Sequence, residues 1–265
     1  MKKILSMLVL ISMVSFFTAC SDDEVTQPTE VEPGSMTVND QMISQNTIIV
    51  ESITFEQDGW IVVHADNNGS AVVPDIISEP VLVKAGTKTD VMIPLTPDAN
   101  MLDGATQVWI MLHTDDGVSG AYEFDGTNGL DSPLANLEGE VIVKPIKVSP
   151  ATITVSDQVV TNSVTVTVNA ATDGWIVIHN DMGDGSIILP GIIGKAEVKK
   201  GANNNVVVML DDDVTITRGQ KLFPMLHIDM APLGEYNFPG VDSPEVFGFD
   251  MEGKSKIILK TINTL

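Results

Sequence analysis

Hydrophobic and polar residues alternate along several short stretches of this chain, which is typical of strands that bury one face. Residues 164–168 read Val-Thr-Val-Thr-Val, and residues 47–55 are rich in β-branched side chains. Residues 60–64 and 109–113 are instead almost continuously apolar and end at turn residues, which predicts central strands covered on both faces. Helical periodicity is absent from these stretches. The pattern therefore predicts an all-β fold.

The same motifs return in the same order after about 115 residues, which is the length of a whole domain. Among them are Asp-Gly-Trp-Ile-Val at 58–62 and 173–177, Met-Leu-His at 111–113 and 225–227, and Asp-Ser-Pro at 131–133 and 242–244. We interpret this as a tandem duplication and predict two β-sandwich domains, Ig-like or cupredoxin-like, over residues 36–147 and 148–265. Each copy holds a complete strand set, so each is expected to fold alone.

Two prolines, Pro94 and Pro224, fall inside strand patterns. Proline has no N–H to donate to a neighbouring strand, and it is therefore confined mainly to edge strands and bulges. Both positions are expected to mark such places.

The N-terminus carries a second kind of pattern. Lys2 and Lys3 precede an apolar run over residues 4–17, and small residues lead to Cys20. This is the layout of a secretory signal peptide, and the run is too short to span a membrane. We predict a signal peptide over residues 1–19 and a flexible tether over residues 20–35, since the tether is polar and holds two prolines.

The residues around Cys20 resemble the lipobox of bacterial lipoproteins, although Phe17 stands where leucine is usual. The resemblance implies that Cys20 is lipidated, so that the membrane is a partner through an N-terminal lipid anchor. The string Ser21, Asp22, Asp23 and Glu24 resembles the export signal of surface lipoproteins in Bacteroidota, which implies an outer-membrane protein exposed on the cell surface. The alternative is an ordinary secretory peptide with a chance cysteine.

Charge and cysteine content narrow the possible partners. Asp and Glu outnumber Lys and Arg by 36 to 14, giving a net charge of −22, so nucleic acid is excluded as a partner by repulsion from its phosphates. Cys20 is the only cysteine, and disulfides therefore do not stabilise the mature domains. Acidic loops such as the one holding Asp115, Asp116, Asp125 and Asp131 suit calcium, but a solvated loop is the favoured interpretation.

All four histidines lie in a His-x-Asp tripeptide at the end of an apolar strand, and imidazole and carboxylate are both metal ligands. The candidate metal residues are His64, Asp66, His113, Asp115, His179, Asp181, His227 and Asp229. Met182 and Met230 could add soft ligands in the second copy alone. The favoured alternative is structural: each histidine is hydrogen-bonded at the rim of a core, with the tryptophans and Met111 as core packing.

Strand direction should decide between these alternatives. Histidines at the same end of a sandwich could share an ion, and Asp66 and Asp115 could complete the site. If their strands are antiparallel neighbours, the two histidines should lie at opposite ends, too far apart for one ion.

Motifs of catalysis are missing from the sequence: it has no Gly-x-Ser-x-Gly elbow, no His-Glu-x-x-His helix and no phosphate-binding glycine loop. The sequence therefore predicts a non-enzymatic, surface-anchored binding, adhesion or envelope-structural module with a protein or glycan ligand and no cofactor. One alternative is a metal-binding, copper-handling, cupredoxin-like extracytoplasmic protein, and a third class that the pattern leaves open is a carbohydrate-active enzyme.

The order Asp-Gly-Trp-Ile-Val-x-His, Leu-His-x-Asp, Tyr-x-Phe and Asp-Ser-Pro is similar to an uncharacterised domain of secreted proteins in haloarchaea and some bacteria, often found in tandem. The likeness covers residues 36–265 almost completely. It implies a pair of secreted β domains and no catalytic residues, and His64, His113, His179 and His227 fall on its recurrent histidines.

Overall fold

A computed structural model describes residues 30–99 and 104–265, and the predicted signal peptide, Cys20 and the export signal lie outside this range. The prediction of an all-β fold is confirmed. The helical structure in the described residues is limited to one 3-10 turn at Pro97–Ala99. Within those residues we found no helix of the length and apolarity that a membrane crossing requires.

Residues 34–149 form the first β-sandwich, from two sheets that face each other. Its strands are β1 (Gly34–Thr37), β2 (Gln41–Met42), β3 (Thr47–Phe55), β4 (Gly59–Ala65), β5 (Val81–Val83), β6 (Gly86–Pro94), β7 (Thr106–Thr114) and β8 (Val143–Ser149). One sheet has the strand order β1-β3-β6 and the other β2-β8-β7-β4-β5. All pairs are antiparallel except β2 with β8.

Residues 152–264 repeat this arrangement as a second sandwich. Its strands are β9 (Thr152–Thr154), β10 (Ser163–Ala170), β11 (Gly174–His179), β12 (Gly194–Val198), β13 (Gly201–Met209), β14 (Lys221–Ile228), β15 (Ser243–Pro244), β16 (Val246–Phe249), β17 (Ser255–Ile257) and β18 (Ile262–Asn263). One sheet is β9-β10-β13, and the other is β12-β11-β14-β15 with β18 also on β14.

The two cores are formed by the apolar residues that alternate with polar residues along the strands, as the sequence predicts. In β10, Val164, Val166 and Val168 are buried while Thr165 is exposed, because side chains on a strand point to opposite faces in turn. Ile61, Val63, Ile110 and Leu112 of β4 and β7 enter the first core in the same way. Ile176, Ile178 and Leu226 of β11 and β14 enter the second core.

The strands β4 and β7 are buried on both faces, as predicted, but their outer faces do not belong to the sandwich cores. Trp60, Val62 and Met111 are buried and yet lie apart from the first core cluster. In the second copy, Trp175, Val177 and Met225 form a separate cluster under Tyr236. Each sandwich therefore has a second buried layer, enclosed between a sheet and the loops that cross it.

The two sandwiches belong to one compact unit that covers residues 31–265. The hairpin of β16 and β17 connects them: Phe247 is 3 % exposed and is part of the first core, although it follows the second Asp-Ser-Pro motif. Beside it, the buried carboxylate of Glu245 accepts hydrogen bonds from Ser44 Oγ at 2.7 Å and Gln45 N at 2.9 Å. The second repeat thus supplies part of the first repeat's packing.

The predictions for the two prolines had different outcomes. Pro94 lies on β6, an edge strand, as expected. Pro224 lies on β14 in the interior of its sheet, directly opposite Ile178 of β11, so its prediction was wrong. Its carbonyl still accepts a hydrogen bond from Lys260 N, and the strand keeps its register with β11.

Candidate metal centre

The histidines of each copy lie on the outer face of the central strand pair. In the first copy β4 and β7 are antiparallel, with His64 opposite Trp109 and His113 opposite Trp60. The two histidines are thus four residues apart along the sheet, which separates their backbones by about 13 Å. Their ring centres, however, are 5.8 Å apart, with the ring planes inclined by 28°.

The expectation that antiparallel strands would keep the histidines too far apart for one ion was therefore wrong. Each imidazole leans back along its own strand, and because the strands run in opposite directions the two rings lean toward each other. The second copy has the same arrangement, with His179 and His227 at 6.1 Å and 32°. All four histidine side chains have no exposed surface.

Hydrogen bonds to main-chain carbonyls fix the protonation of three of these rings. His64 Nδ1 lies 2.8 Å from the carbonyl oxygen of Asp75 and 3.0 Å from that of Val72. A carbonyl oxygen can only accept, so Nδ1 carries the proton and donates it. In a neutral imidazole this leaves Nε2 as an unprotonated nitrogen with a free lone pair.

The same assignment applies to His113, whose Nδ1 donates to the carbonyl oxygen of Asp131 at 2.7 Å. His179 Nδ1 donates to the carbonyl oxygens of Gly191 at 2.8 Å and Ile188 at 3.1 Å. Neither nitrogen of His227 has a hydrogen-bond partner among the described residues. The first pair is thus the more completely oriented of the two.

The Nε2 atoms of all four histidines are buried, and no described side chain or main-chain group forms a hydrogen bond with them. The two nitrogens of an imidazole point in nearly opposite directions, so Nε2 points away from the loop that holds Nδ1. Burial lowers the pKa of His113 and of His227 to about 4, and it lowers those of His64 and His179 as well. At neutral pH each pair therefore presents neutral imidazoles, the form that binds metals.

Aromatic side chains from the loop after β7 cover the first pair. The Tyr122 ring lies 5.6 Å from His113 and 5.7 Å from Trp60, both edge-on, and Phe124 lies 4.8 Å from His113. Tyr236 and Phe238 cover His227 in the second copy, at 5.7 and 4.7 Å. Burial raises the pKa of Tyr236 to about 12 and that of Tyr122 further, so both phenols stay protonated. The covering side chains are thus aromatic and themselves uncharged.

A methionine lies midway between the histidines of each pair. Met111 is directly opposite Val62, on the same face and halfway along the sheet between His64 and His113. Met225 holds the same position opposite Val177 in the second copy. Both are at most 5 % exposed. The methionines suggested by the sequence as soft ligands, Met182 and Met230, are instead exposed.

The aspartates of the His-x-Asp tripeptides bond elsewhere. Asp66 accepts hydrogen bonds from Trp109 Nε1 at 2.7 Å and Gln107 Nε2 at 2.8 Å, and Asp115 accepts from Gly120 N. Asp181 accepts from Gly183 N and Gly185 N, and Asp229 from Gly234 N. Over residues 30–99 and 104–265, no three His, Cys, Asp or Glu side chains are grouped closely enough to hold an ion. The structure brings the histidines together in pairs without these aspartates.

Two buried aspartates, for which we predicted no individual role, organise the cover. Asp131 accepts hydrogen bonds from Asp116 N at 2.9 Å and Glu123 N at 2.6 Å. Asp242 accepts from Met230 N and Asn237 N in the same way. Their carboxylates thus bind both ends of the loop that carries Tyr122 or Tyr236. The signal for this role was the repeated Asp-Ser-Pro motif, which starts at these residues.

Comparison with known proteins identifies the repeats and little else. A family model described as Domain of unknown function (DUF7282) matches residues 34–149 and again residues 151–248. These two matches confirm an uncharacterised domain present in two copies. No curated protein matches the chain.

Several solved structures show weak likeness. The class 5 fimbriae chaperone CfaA is 12 % identical, covers 82 % of this chain and 100 % of its own, and has a TM-score of 0.26. CBD12 from CALX1.2 is 7 % identical over 83 % of this chain and 94 % of its own, with a TM-score of 0.21. A bacterial adhesin from Mobiluncus mulieris is 10 % identical over 89 % and 98 %, with a TM-score of 0.23. At these scores the likenesses carry no functional conclusion.

Proposed function

We propose that this chain, which belongs to the family described as Domain of unknown function (DUF7282), is a non-catalytic metal-binding module of the cell surface in which each repeat holds one transition-metal ion. The observation that carries the proposal is the pair of buried histidines whose ring centres lie 5.8 Å apart and whose Nε2 atoms have no hydrogen-bond partner among the described residues. The same arrangement occurs in both copies.

Distances support one ion per pair. With metal–nitrogen bonds of about 2.0–2.1 Å, two imidazoles on one ion have their ring centres roughly 5 to 6.4 Å apart. The separations of 5.8 and 6.1 Å fit this range. Histidines that bind metals commonly donate their other N–H to a carbonyl, which orients the ring, as His64, His113 and His179 do. The net charge of −22 would also concentrate cations near the surface.

Counting bound ions tests the proposal, because each copy serves as the internal standard for the other. We expect the full chain carrying Cys20→Ser, which removes the only thiol, to bind two ions when it is dialysed against Zn²⁺, Cu²⁺ or Cu⁺ singly. His64→Asn should lower the count to one, His179→Asn should do the same, and the double variant should bind none. Metal content is measured by elemental analysis after gel filtration.

Asp115→Asn is the matched control, since this aspartate of a His-x-Asp tripeptide bonds to its own loop and should leave the count at two. A chain that binds none of these ions would refute the proposal. So would a double histidine variant that, while folded by circular dichroism, still binds two.

We further propose that the module is held on the outer membrane by lipid on Cys20 and exported to the cell surface by Ser21, Asp22, Asp23 and Glu24. The support is the sequence pattern alone: a positive start, a short apolar run, the cysteine and the acidic string directly after it. Stable attachment to a membrane requires two or more acyl chains, and a lipidated N-terminal cysteine carries them.

Cys20→Ser should abolish the incorporation of labelled palmitate, because no other thiol is present to accept the lipid. Changing Asp22, Asp23 and Glu24 together to Ala should keep the lipid but protect the protein from external protease. Palmitate retained in the Cys20→Ser chain would exclude the anchor. Unchanged cleavage of the triple variant by external protease would exclude the export role.

A further inference from the structure

We infer that the ion in each repeat is copper(I), held by two imidazole nitrogens and by the thioether sulfur of Met111 in the first copy and of Met225 in the second. This inference rests on the proposed function, because it names the metal and the third ligand of the same sites. Three independent features of the structure lead to it.

The first feature is position. Met111 lies level with the midpoint between His64 and His113, on the same buried face of the sheet. Met225 repeats this placement and packs in one cluster with Trp175, Val177 and Tyr236, the last of which contacts His227. A thioether is a soft ligand, and soft ligands select copper(I) over zinc and over harder ions.

The second feature is the wide separation of the imidazoles. Two nitrogens at a tetrahedral angle on one ion would place the ring centres roughly 5 Å apart, and two nitrogens on opposite sides about 6.4 Å apart. The pairs, at 5.8 and 6.1 Å, lie toward the wide end. An angle this wide suits an ion with two or three ligands, and copper(I) accepts so few, whereas zinc in proteins is usually tetrahedral.

The third feature is that no carboxylate completes either histidine pair, since no three His, Cys, Asp or Glu side chains of residues 30–99 and 104–265 are grouped closely enough to hold an ion. The buried carboxylates of Asp131 and Asp242 use both oxygens to bind main-chain N–H groups of the covering loop. Methionine and tryptophan side chains carry no charge, and tyrosine is a neutral phenol at pH 7. The desolvation cost of an ion rises with the square of its charge, so a divalent ion would cost about four times as much to bury here as a monovalent one.

The test measures copper(I) and Zn²⁺ affinities of the full chain carrying Cys20→Ser, with a chromophoric chelator as competitor and, for copper, under anaerobic conditions. The double variant Met111→Leu, Met225→Leu should bind copper(I) at least about tenfold more weakly, since a coordinating sulfur is lost from each site. X-ray absorption of the copper-loaded parent should show a sulfur scatterer that the variant lacks. Zn²⁺ affinity should change little.

Met92→Leu, Met209→Leu is the matched control. Each copy has one of these methionines, exposed on β6 and on β13, so the variant should keep the copper affinity and the sulfur signal of the parent. A parent that binds two Zn²⁺ more tightly than copper(I), or a Met111→Leu, Met225→Leu chain with unchanged copper(I) affinity, would overturn the inference while leaving metal binding by the histidines in place. Failure to bind any ion would refute the proposed function itself.

Discussion

Phe247→Ala should destabilise the first sandwich by about 3–5 kcal/mol, although residue 247 follows the motifs of the second repeat. The phenyl ring is 3 % exposed and packs with the valines and isoleucines of the first core. Truncation to Ala removes this buried apolar area and leaves a cavity. The strands around the cavity are held by hydrogen bonds within their sheets and cannot move inward to fill it. Amide hydrogen exchange in β3 and β4, followed by mass spectrometry, should show faster opening of the first sandwich in the variant.

Met251→Ala is the matched control for this prediction. Met251 lies at the tip of the same hairpin, between β16 and β17, and is fully exposed, so its loss should leave exchange in both sandwiches unchanged. If Phe247→Ala exchanges like the parent in β3 and β4, the hairpin does not stabilise the first core. An isolated segment 36–147 lacks Phe247. If this segment folds alone, we therefore expect it to be less stable than the same segment in the full chain.

The repeat was visible in the sequence, but this link between the repeats was not. The two copies correspond as far as Asp-Ser-Pro, and in the first copy the hairpin that follows is short, with Ile142 N donating to Leu134 O. In the second copy the equivalent bond joins Ile258 N to Glu245 O, so several extra residues are inserted, and these form β16 and β17. An insertion has no periodic partner to align with. The position of the inserted hairpin is determined by packing between the two repeats, and the pattern of strands in the sequence does not predict such packing.

The candidate site was predictable in its residues but not in its geometry. Repetition singled out the four histidines, and the sequence placed each of them at the end of an apolar strand. The convergence of the rings depends on the lean of each side chain and on carbonyls of distant loops, such as that of Asp75 on His64 Nδ1. Neither is a local property of the strand. The His-x-Asp spacing was misleading for the same reason, because the carboxylates turned out to bond to loops and to Trp109.

Gly174→Ala should be as damaging as the loss of Phe247, at about 3 kcal/mol or more, because there is no room for a side chain at this position. A Cβ built on Gly174 would lie 2.2 Å from the carbonyl oxygen of His227, a main-chain atom that can move only if β11 and β14 separate. Gly59 repeats the constraint, with His113 O at 2.6 Å. Overpacking that forces the backbone to shift costs about 1–3 kcal/mol and sometimes more. Urea denaturation followed by Trp175 fluorescence would measure the loss.

The glycine also links the fold to the proposed site, because the atom it would displace belongs to a histidine of the second pair. We therefore expect Gly174→Ala to lose the second bound ion while the first copy keeps its own, so that the count falls from two to one. Gly104→Ala is the matched control: a Cβ there meets no atom of residues 30–99 and 104–265 within 4 Å, and both stability and ion count should match the parent. A Gly174→Ala chain with parental stability and two bound ions would show that β11 and β14 do not need the close approach that sets the position of His227.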